Sequence, residues 1–393
     1  MDRLVCRIQH YDWGSTTAIA ELQGRESGGE PEAELWIGAH PAAPSVLDRG
    51  DGPVELSKVI ADAPEAELGS TTRSWFGDEL PFLLKVLAAD SPLSLQVHPT
   101  LEQAVAGFER EEAGGIPVES GERIFRDANH KPELLCALTR FSAMCGFRPV
   151  SETVELLTQL AVPELEVVVR MLSAEPGANG LRGVLRYLLE LDEEATHRLV
   201  SQLAIAVAEP PEAFAEECAW IASVADRAPA DPGVAVLPLL NLVVLEPGQA
   251  LFLGTGRLHT YLGGVAVEVM ANSDNVIRGG LTSKHVDVAT LLEIVDPRAG
   301  AVSIETPGTK SQWTYAVPVP EFELTRIEVE TRDDVGRIGP ALVLVVDGSI
   351  TIRTGHQALG VEPGHAVWVP ASDGPVQLGG RGTVFLATVG VAR

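Results

Sequence analysis

Short apolar segments separated by glycine and proline run through the first 150 residues. Pro81–Leu87 and Leu93–Val97 have the length and composition of β-strands. Apolar and polar positions alternate in the second segment, so its Leu and Val side chains share one face while Ser94, Gln96 and His98 lie on the other. This part of the chain is therefore predicted to be rich in β-structure, with one strand that presents a polar face.

A helical pattern replaces the strand pattern at Ser151. Apolar residues then recur at three- and four-residue spacing, with Glu and Arg between them, as far as the Pro- and Gly-containing segment 227–233. Strand character returns at Val234, and Val286–Val295 is predicted to form a short helix. The sequence thus predicts a helical block inserted between two β-rich regions.

The chain beyond about residue 312 is predicted to be all β, with a hairpin turn at Asp347–Gly348. Within it, Val361–Pro370 has the same pattern as Leu245–Gly254: an apolar residue, Glu-Pro-Gly, a polar residue, Ala, and an apolar strand. The two segments are interpreted as copies of one hairpin in two related barrels. The alternative is that Glu-Pro-Gly is simply a good turn.

The predicted fold is mainly β with an α-helical insertion, and it consists of two jelly-roll β-barrels plus a helical domain. Residues 1–150 and 234–311 are expected to form one discontinuous barrel domain. Residues 151–233 are expected to form the helical insertion, and residues 312–393 the C-terminal barrel.

Composition restricts the possible partners of this chain of 393 residues. Asp and Glu number 55 against 29 Lys and Arg, which gives a formal net charge of -26. Such a surface repels nucleic acid and anionic membranes. No stretch is long and apolar enough to span a bilayer, and the start lacks the apolar core of a signal peptide. Four scattered cysteines are expected to be free thiols in the cytoplasm.

Four residues in strand contexts carry possible metal-binding chemistry: Gln96, His98, Glu133 and His259. Neutral imidazole suits zinc, a carboxylate completes a mixed nitrogen and oxygen site, and an amide oxygen is an acceptable neutral donor. Taken singly, a histidine in a strand is more often a structural or surface residue. The spacing alone therefore leaves a metal site and a structural role both open.

Several motifs together resemble those of type I mannose-6-phosphate isomerases. They occur in the family's order between about residues 10 and 295, and the C-terminal β-region carries none. The matching blocks are Tyr11–Gly14, Ala33–Gly38, Pro81–Leu87, Leu93–Pro99, Asp127–Leu134 and Val267–Leu281.

This resemblance implies two cupin barrels and a set of functional residues. One Zn²⁺ per chain would be held by Gln96, His98, Glu133 and His259. The resemblance places the family's essential arginine at Arg278. The remaining implied catalytic residues are Lys131, Glu268 and Asp274, and the implied substrate-binding residues are Trp13, Ser94, Tyr261, Lys284 and Lys85.

The implied activity is the interconversion of mannose 6-phosphate and fructose 6-phosphate through an enediol, within carbohydrate metabolism and GDP-mannose biosynthesis. The substrate would be a small sugar phosphate, with no nucleic-acid or membrane partner, and the protein would act as a monomer. Lys131, Glu268, Asp274 and a metal-bound water all remain possible bases. Two alternatives stay open: a cupin metal oxygenase, and a non-catalytic cupin that binds sugar phosphates.

Overall fold

The computed structural model describes residues 1–390. In chain order its strands are β1 (Asp2–Leu4), β2 (Arg7–Gln9), β3 (Glu34–Ile37), β4 (Val46–Asp48), β5 (Pro53–Glu55), β6 (Phe82–Ala89), β7 (Leu95–Val97), β8 (Glu133–Ala137), β9 (Phe141–Phe147), β10 (Leu240–Leu245), β11 (Ala250–Leu253), β12 (His259–Ala271), β13 (Ile277–Gly280), β14 (Ile304–Glu305), β15 (Gln312–Thr314), β16 (Glu323–Val329), β17 (Arg332–Val335), β18 (Ala341–Thr354), β19 (Gln357–Val361), β20 (Ala366–Val369) and β21 (Val376–Thr388). The α-helices are α1 (Ala18–Leu22), α2 (Leu56–Asp62), α3 (Pro64–Phe76), α4 (Leu101–Ala113), α5 (Val150–Leu160), α6 (Glu166–Ala174), α7 (Ala178–Leu189), α8 (Glu193–Ala206), α9 (Ala215–Arg227), α10 (Gly233–Val236) and α11 (Val288–Ile294).

Strand β12 organises the larger, eleven-stranded sheet. Its first residues pair with β7 and β9, and residues 264–271 pair with β6 and β8 on either side. Gly264 stands where the pairing changes, with φ of +121°, and a Cβ there would lie 2.7 Å from the carbonyl oxygen of Arg140. A glycine at this bend lets one strand serve both parts of the sheet.

The register of β12 brings distant polar residues onto neighbouring strands. His259 is opposite Gln96, and Glu268 is opposite Lys85. On β13, which also pairs with β7, Arg278 is opposite Gln96. Directly opposed residues in an antiparallel pair project to the same face of the sheet. The sheet therefore gathers an amide, an imidazole and a guanidinium around β7.

The helical block predicted from Ser151 is confirmed, and its first helix, α5, begins one residue earlier. Its apolar faces pack into one core with Leu95, Val97 and Ile277 from the larger sheet. Amphipathic helices obtain most of their stability from burying such a face. No helix within residues 1–390 has the length and apolar character needed to cross a membrane.

The smaller, eight-stranded sheet contains β15 to β21 and also β1 from the start of the chain. Residues 2–4 pair with β20, so the chain begins within the sheet formed by the C-terminal region. A buried polar contact reinforces this packing, because the Trp368 indole donates a 2.7 Å hydrogen bond to Glu67 of α3. The division into three domains stays a prediction. Strand β1 belongs by sequence to the first predicted domain but pairs with a strand of the predicted C-terminal barrel.

The prediction of a hairpin turn at Asp347–Gly348 is wrong. Strand β18 continues through these residues and pairs with β21 along nearly its whole length. A bulge between Val345 and Asp347 accommodates the local turn tendency. The chain reverses later, between β18 and β19, which are hydrogen-bonded antiparallel neighbours. Long-range pairing with β21 outweighs the local turn signal.

The two Glu-Pro-Gly segments do share one turn geometry. The amide of Gln249 donates to Glu246, and that of His365 donates to Glu362 at the equivalent position. The flanking strands do not form hairpins, because β10 pairs with β9 while β11 pairs with β8 and β14. The repeat is therefore a shared turn. The strands on either side of it pair with other strands and not with each other.

The predicted fold class, mainly β with an α-helical insertion, is confirmed. The sequence did not indicate helices α2, α3 and α4 within the first 150 residues. Helix α4 begins with a clear local signal, since Thr100 and Gln103 form a capping box. Helices α2 and α3 contribute Leu56, Val59, Ile60 and Leu68 to a core shared with residues of both sheets.

Candidate active site

A cavity of about 1550 Å³ opens beside β7, β12 and β13. This is larger than the roughly 300–1,000 Å³ of a typical small-molecule site. Eleven of the thirteen residues singled out from the sequence line it: Trp13, Lys85, Ser94, Gln96, Lys131, Glu133, Tyr261, Glu268, Asp274, Arg278 and Lys284. The other two, His98 and His259, are each 1% exposed and contact the lining residue Glu133.

The four residues proposed as metal ligands converge at one end of this cavity. The Nε2 atom of His98 lies 3.4 Å from Oε1 of Glu133, and Nε2 of His259 lies 3.8 Å from Oε2. One donor atom from each of these three side chains lies within 4.8 Å of the other two. The Gln96 amide approaches Nε2 of His259 at 3.3 Å. Rotating an amide exchanges its nitrogen and oxygen, so Gln96 can present either atom there.

Backbone carbonyls orient both imidazoles toward this point. Nδ1 of His98 lies 2.8 Å from the carbonyl oxygen of Asn275, and Nδ1 of His259 lies 2.9 Å from that of Arg257. A carbonyl accepts only, so each Nδ1 carries the proton and each Nε2 keeps its lone pair. Nε2 of His98 is buried without a hydrogen-bond partner within residues 1–390. An orphaned imidazole nitrogen beside a carboxylate fits a zinc ion.

The electrostatics favour the ligand forms of these groups. Burial, and then the nearby His98, lower the pKa of His259 to about 4, so its imidazole is neutral at pH 7. Burial opposes ionisation of Glu133, but His98 and Lys131 outweigh it and hold the pKa of that carboxyl well below its usual range. Neutral imidazole and ionised carboxylate are the forms that bind zinc.

Asn275, which the sequence marks only as part of the Val267–Leu281 motif, is a positioning residue. Its side chain is fully buried and accepts a 2.7 Å hydrogen bond from the amide of Arg126. It also donates to the carbonyl oxygens of Asp127 and Asn129, each at 2.8 Å. Because its own carbonyl faces His98, Asn275 ties a candidate metal ligand to the loop that precedes Lys131.

A buried charge cluster borders the candidate ligands. The Lys85 ammonium lies 3.5 Å from Glu34 and 3.4 Å from Glu268, and the Tyr261 hydroxyl donates to Glu268 at 3.0 Å. Burial and repulsion from Glu133 raise the pKa of Glu268 to about 7. For Lys85 burial works against the charge, but Glu34 and Glu268 raise its pKa overall. Nothing in the sequence marks Glu34 as a functional residue except its place in the Ala33–Gly38 motif.

Lys131 and Asp274 occupy different surroundings. The Lys131 ammonium is buried and lies 3.3 Å from Oε1 of Glu133. The Asp274 side chain is 46% exposed and lies 3.6 Å from Nε2 of His40. The backbone amide of Asp274 donates a 2.7 Å hydrogen bond to Asp127, which fixes the turn after β12. Asp274 thus stands at the open side of the cavity and Lys131 at its closed end.

Three cations gather at another part of the cavity: Arg126, Arg278 and Lys284. Arg278 forms no ion pair within 4 Å inside the described range, so it is not a salt-bridge partner of Asp274 or Glu268. Burial and then the nearby Arg126 lower its pKa. Burial followed by Arg278 and Arg126 also lowers the pKa of Lys284. Mutually repelling cations on a cavity wall are a site for an anion.

Arg126 was missed from the sequence. It lies immediately before the Asp127–Leu134 motif, and no local pattern distinguishes it from the many other arginines. Only the pairing of β13 with β7 and the Asn275 contact bring it close to Arg278. Trp13 and Ser94 line the same cavity, and the Trp13 ring stacks on Tyr11 at 5.6 Å between centroids.

The fold and this donor set define a cupin-type enzyme with a site for a divalent metal. Residues 1–150 match the family model for the catalytic domain of type I phosphomannose isomerase, and residues 312–389 match that for the mannose-6-phosphate isomerase cupin domain. The chain belongs to the type I phosphomannose isomerase family, and it is an isomerase. This membership argues against both alternatives, the metal oxygenase and the non-catalytic binding protein.

Individual relatives agree with this membership. The mannose-6-phosphate isomerase of Escherichia coli K12 is 38% identical over 388 residues, covering 97% of this chain and 98% of its own. The human enzyme is 33% identical over 390 residues, covering 89% and 88%.

Solved structures are similar over the full length. A lysine-to-alanine variant of phosphomannose isomerase from Salmonella typhimurium has a TM-score of 0.93 at 35% identity, covering 100% of both chains. A zinc-bound mannose 6-phosphate isomerase has a TM-score of 0.92 at 35% identity, covering 99% of both. Zinc in that relative agrees with the donor set found here.

Proposed function

We propose that this enzyme interconverts mannose 6-phosphate and fructose 6-phosphate by proton transfer between C1 and C2 through an enediol(ate). One zinc ion per chain would be held by Gln96, His98, Glu133 and His259, within the domain formed by residues 1–150 and 234–311. The observation that carries the proposal is the orphaned Nε2 of His98 beside Glu133, a residue that lines the same cavity as a cluster of cations.

The metal would supply Lewis-acid polarisation of the sugar's carbonyl or hydroxyl oxygen. The protein's own part is to hold the open-chain sugar with C1 and C2 near this point. Arg278 is suited to stabilise the charge that develops on the enediolate, because it faces the same side of the sheet as Gln96. Its planar guanidinium can contact two oxygens at once.

The phosphate would bind farther along the cavity, on Arg126 and Lys284. These two cations face Arg278, and an arriving dianion relieves the repulsion among the three. Trp13, Ser94 and Tyr261 line the same cavity and would contact the sugar. The rest of the protein surface is acidic and repels anions. The phosphate would therefore be held at this cluster of cations and not elsewhere on the surface.

The candidates for the group that moves the proton are Glu268, Asp274, Lys131 and a metal-bound water, and the first three can be compared by their surroundings. Glu268 is buried, accepts a hydrogen bond from Tyr261 and forms an ion pair with Lys85. Its protonation state therefore depends on these two neighbours. Asp274 is reached from solvent, whereas Lys131 lies against Glu133. Replacing each in turn by Gln, Asn and Met would identify the base, because only its loss removes the proton-transfer step while zinc and phosphate still bind.

Isomerisation in heavy water tests the enediol route. The expected result is deuterium incorporation from solvent at C1 of fructose 6-phosphate or C2 of mannose 6-phosphate, in zinc-loaded enzyme. Full retention of a C2 label at C1 over many turnovers would contradict the proposal, because it indicates direct hydride transfer. A zinc-free sample measured in parallel supplies the control.

A further inference from the structure

We propose that Asp231, at the exit of the helical insertion, is a positioning residue that holds the loop carrying Lys284 and so sets the affinity for the substrate's phosphate. This inference rests on the proposed function, because it takes Lys284 to be a phosphate ligand. Asp231 carries no role in the sequence analysis, where segment 227–233 is only the boundary of the helical block.

The Asp231 carboxylate links two parts of the chain that are about fifty residues apart. Oδ1 accepts a 2.8 Å hydrogen bond from the amide of Gly233, which starts α10. Oδ2 accepts a 3.3 Å hydrogen bond from the amide of Thr282, in the loop after β13. One side chain therefore connects the end of the helical insertion to a loop of the cavity wall.

The loop that Asp231 contacts has an unfavourable backbone conformation. Leu281 has φ of +56°, a region that non-glycine residues rarely occupy. Gly280 before it has φ of +136°, and a Cβ there would lie 2.5 Å from Oδ1 of Asp231 and 2.8 Å from Cα of Gly233. Such a conformation persists only where surrounding contacts maintain it. The Thr282 hydrogen bond is one of those contacts.

A short chain of hydrogen bonds transmits this position to Lys284. The hydroxyl of Thr282 accepts a 3.0 Å hydrogen bond from the amide of Lys284. Asp231 fixes the backbone amide of Thr282, and the Thr282 hydroxyl in turn fixes the backbone amide of Lys284. Leu281, Thr282 and Lys284 all line the cavity with Asp231.

Asp231 acts here through hydrogen bonds rather than through charge pairing. It forms no ion pair within 4 Å in the described part of the chain, and the groups that act on Lys284 are Arg278 and Arg126. Its carboxylate accepts backbone amides, so it leaves the cations available to an anionic ligand. A residue that neutralised Lys284 would instead compete with phosphate.

The test compares Asp231→Ala and Asp231→Asn with the parent enzyme, all zinc-loaded. We expect Asp231→Ala to raise KM for mannose 6-phosphate and the dissociation constant of inorganic phosphate by the same factor. That factor is about tenfold, the effect of one hydrogen bond, with kcat within about twofold. Asp231→Asn keeps one acceptor of two and should fall between. Hydrogen exchange at Thr282 and Lys284 should become faster in Asp231→Ala.

Asp48 offers a matched control, because its carboxylate also accepts two backbone amides, from Gly50 at 2.7 Å and Gly52 at 3.2 Å. It lies in the β4–β5 turn and does not line the cavity. Asp48→Ala should lower thermal stability without changing KM or phosphate binding. Unchanged KM and phosphate affinity in Asp231→Ala, or a fall in kcat alone, would overturn the proposal.

Lys284→Ala separates this inference from the proposed function. If Lys284→Ala leaves phosphate affinity unchanged while Asp231→Ala weakens it, the phosphate assignment of Lys284 is wrong, and the proposal that Asp231 acts through Lys284 fails with it. If Lys284→Ala weakens phosphate binding while Asp231→Ala does not, the Asp231 proposal alone fails.

Discussion

Nε2 of His98 lies 3.4 Å from Oε1 of Glu133, and no group within residues 1–390 donates a hydrogen bond to it. A buried polar nitrogen left in this state is costly unless something else binds it. Since Nδ1 of the same ring faces the carbonyl of Asn275, the free lone pair points toward the carboxylate. This relationship is the structural basis of the proposed metal site.

Removal of the metal is expected to abolish activity. Chelation should inactivate the enzyme, and added zinc should restore it. Glu133→Gln removes the carboxylate shared by both histidines and should reduce zinc content and activity together, by at least about 100-fold in activity. Glu328→Gln, in the C-terminal β-region, is the control and should retain zinc. Full activity in a sample shown by elemental analysis to be metal-free would contradict the assignment.

Arg278→Ala is expected to lower kcat by about 100- to 1000-fold, because in the proposed mechanism Arg278 is a preorganised donor for the enediolate charge. Zinc content should not change. Arg278→Lys should recover only part of the rate, since the planar two-pronged contact is lost. Steady-state isomerisation kinetics give the answer. A rise in KM with kcat little changed would assign Arg278 to phosphate binding instead.

Arg126→Ala is expected to raise KM for mannose 6-phosphate by about tenfold, with kcat within about threefold, because the proposed contact of Arg126 with the phosphate would be equal in ground and transition states. The residue's side chain is exposed, so stability should not change. Arg353→Ala, on the distant strand β18, is the control. An unchanged KM in Arg126→Ala would show that Arg126 does not contact the phosphate.

Lys85→Met is expected to lower the free energy of unfolding by about 3 kcal/mol, because it leaves Glu34 and Glu268 buried without their cation. Lys58→Met provides the comparison. Lys58 forms an exposed pair with Asp62, and such pairs contribute at most about 1 kcal/mol. Urea unfolding of both variants measures the difference. Equal losses would mean that the buried cluster does not stabilise the fold.

His40 makes stability depend on pH. Burial lowers its pKa below the ordinary value of 6.5, although Asp274 partly opposes the effect. The unfolded chain therefore takes up this proton first as pH falls, and the free energy of unfolding decreases below about pH 6.5. In His40→Asn this part of the pH dependence should be absent, whereas the exposed His197→Asn should behave like the parent. Identical slopes in all three proteins below pH 6.5 would contradict the prediction.

Local patterns in the sequence determined the elements and several of the functional residues. The change to three- and four-residue spacing located the helical insertion to within one residue of α5. The period-two pattern placed Gln96 on the polar face of its strand, and the Glu-Pro-Gly repeat marked one shared turn. Such features depend on hydrogen bonds and burial within a few residues, so the sequence encodes them directly.

Only the tertiary structure decided which distant groups meet. Asp347–Gly348 has the composition of a turn, yet pairing with β21 keeps it within a strand. Arg126 has no local signal, and its place near Arg278 follows from the pairing of β13 with β7 and from the buried Asn275. Strand register and the balance of charges in a cavity depend on contacts between residues far apart in the chain. No local pattern specifies those contacts, which is why the cation cluster and the Asp231 link emerge only from the folded molecule.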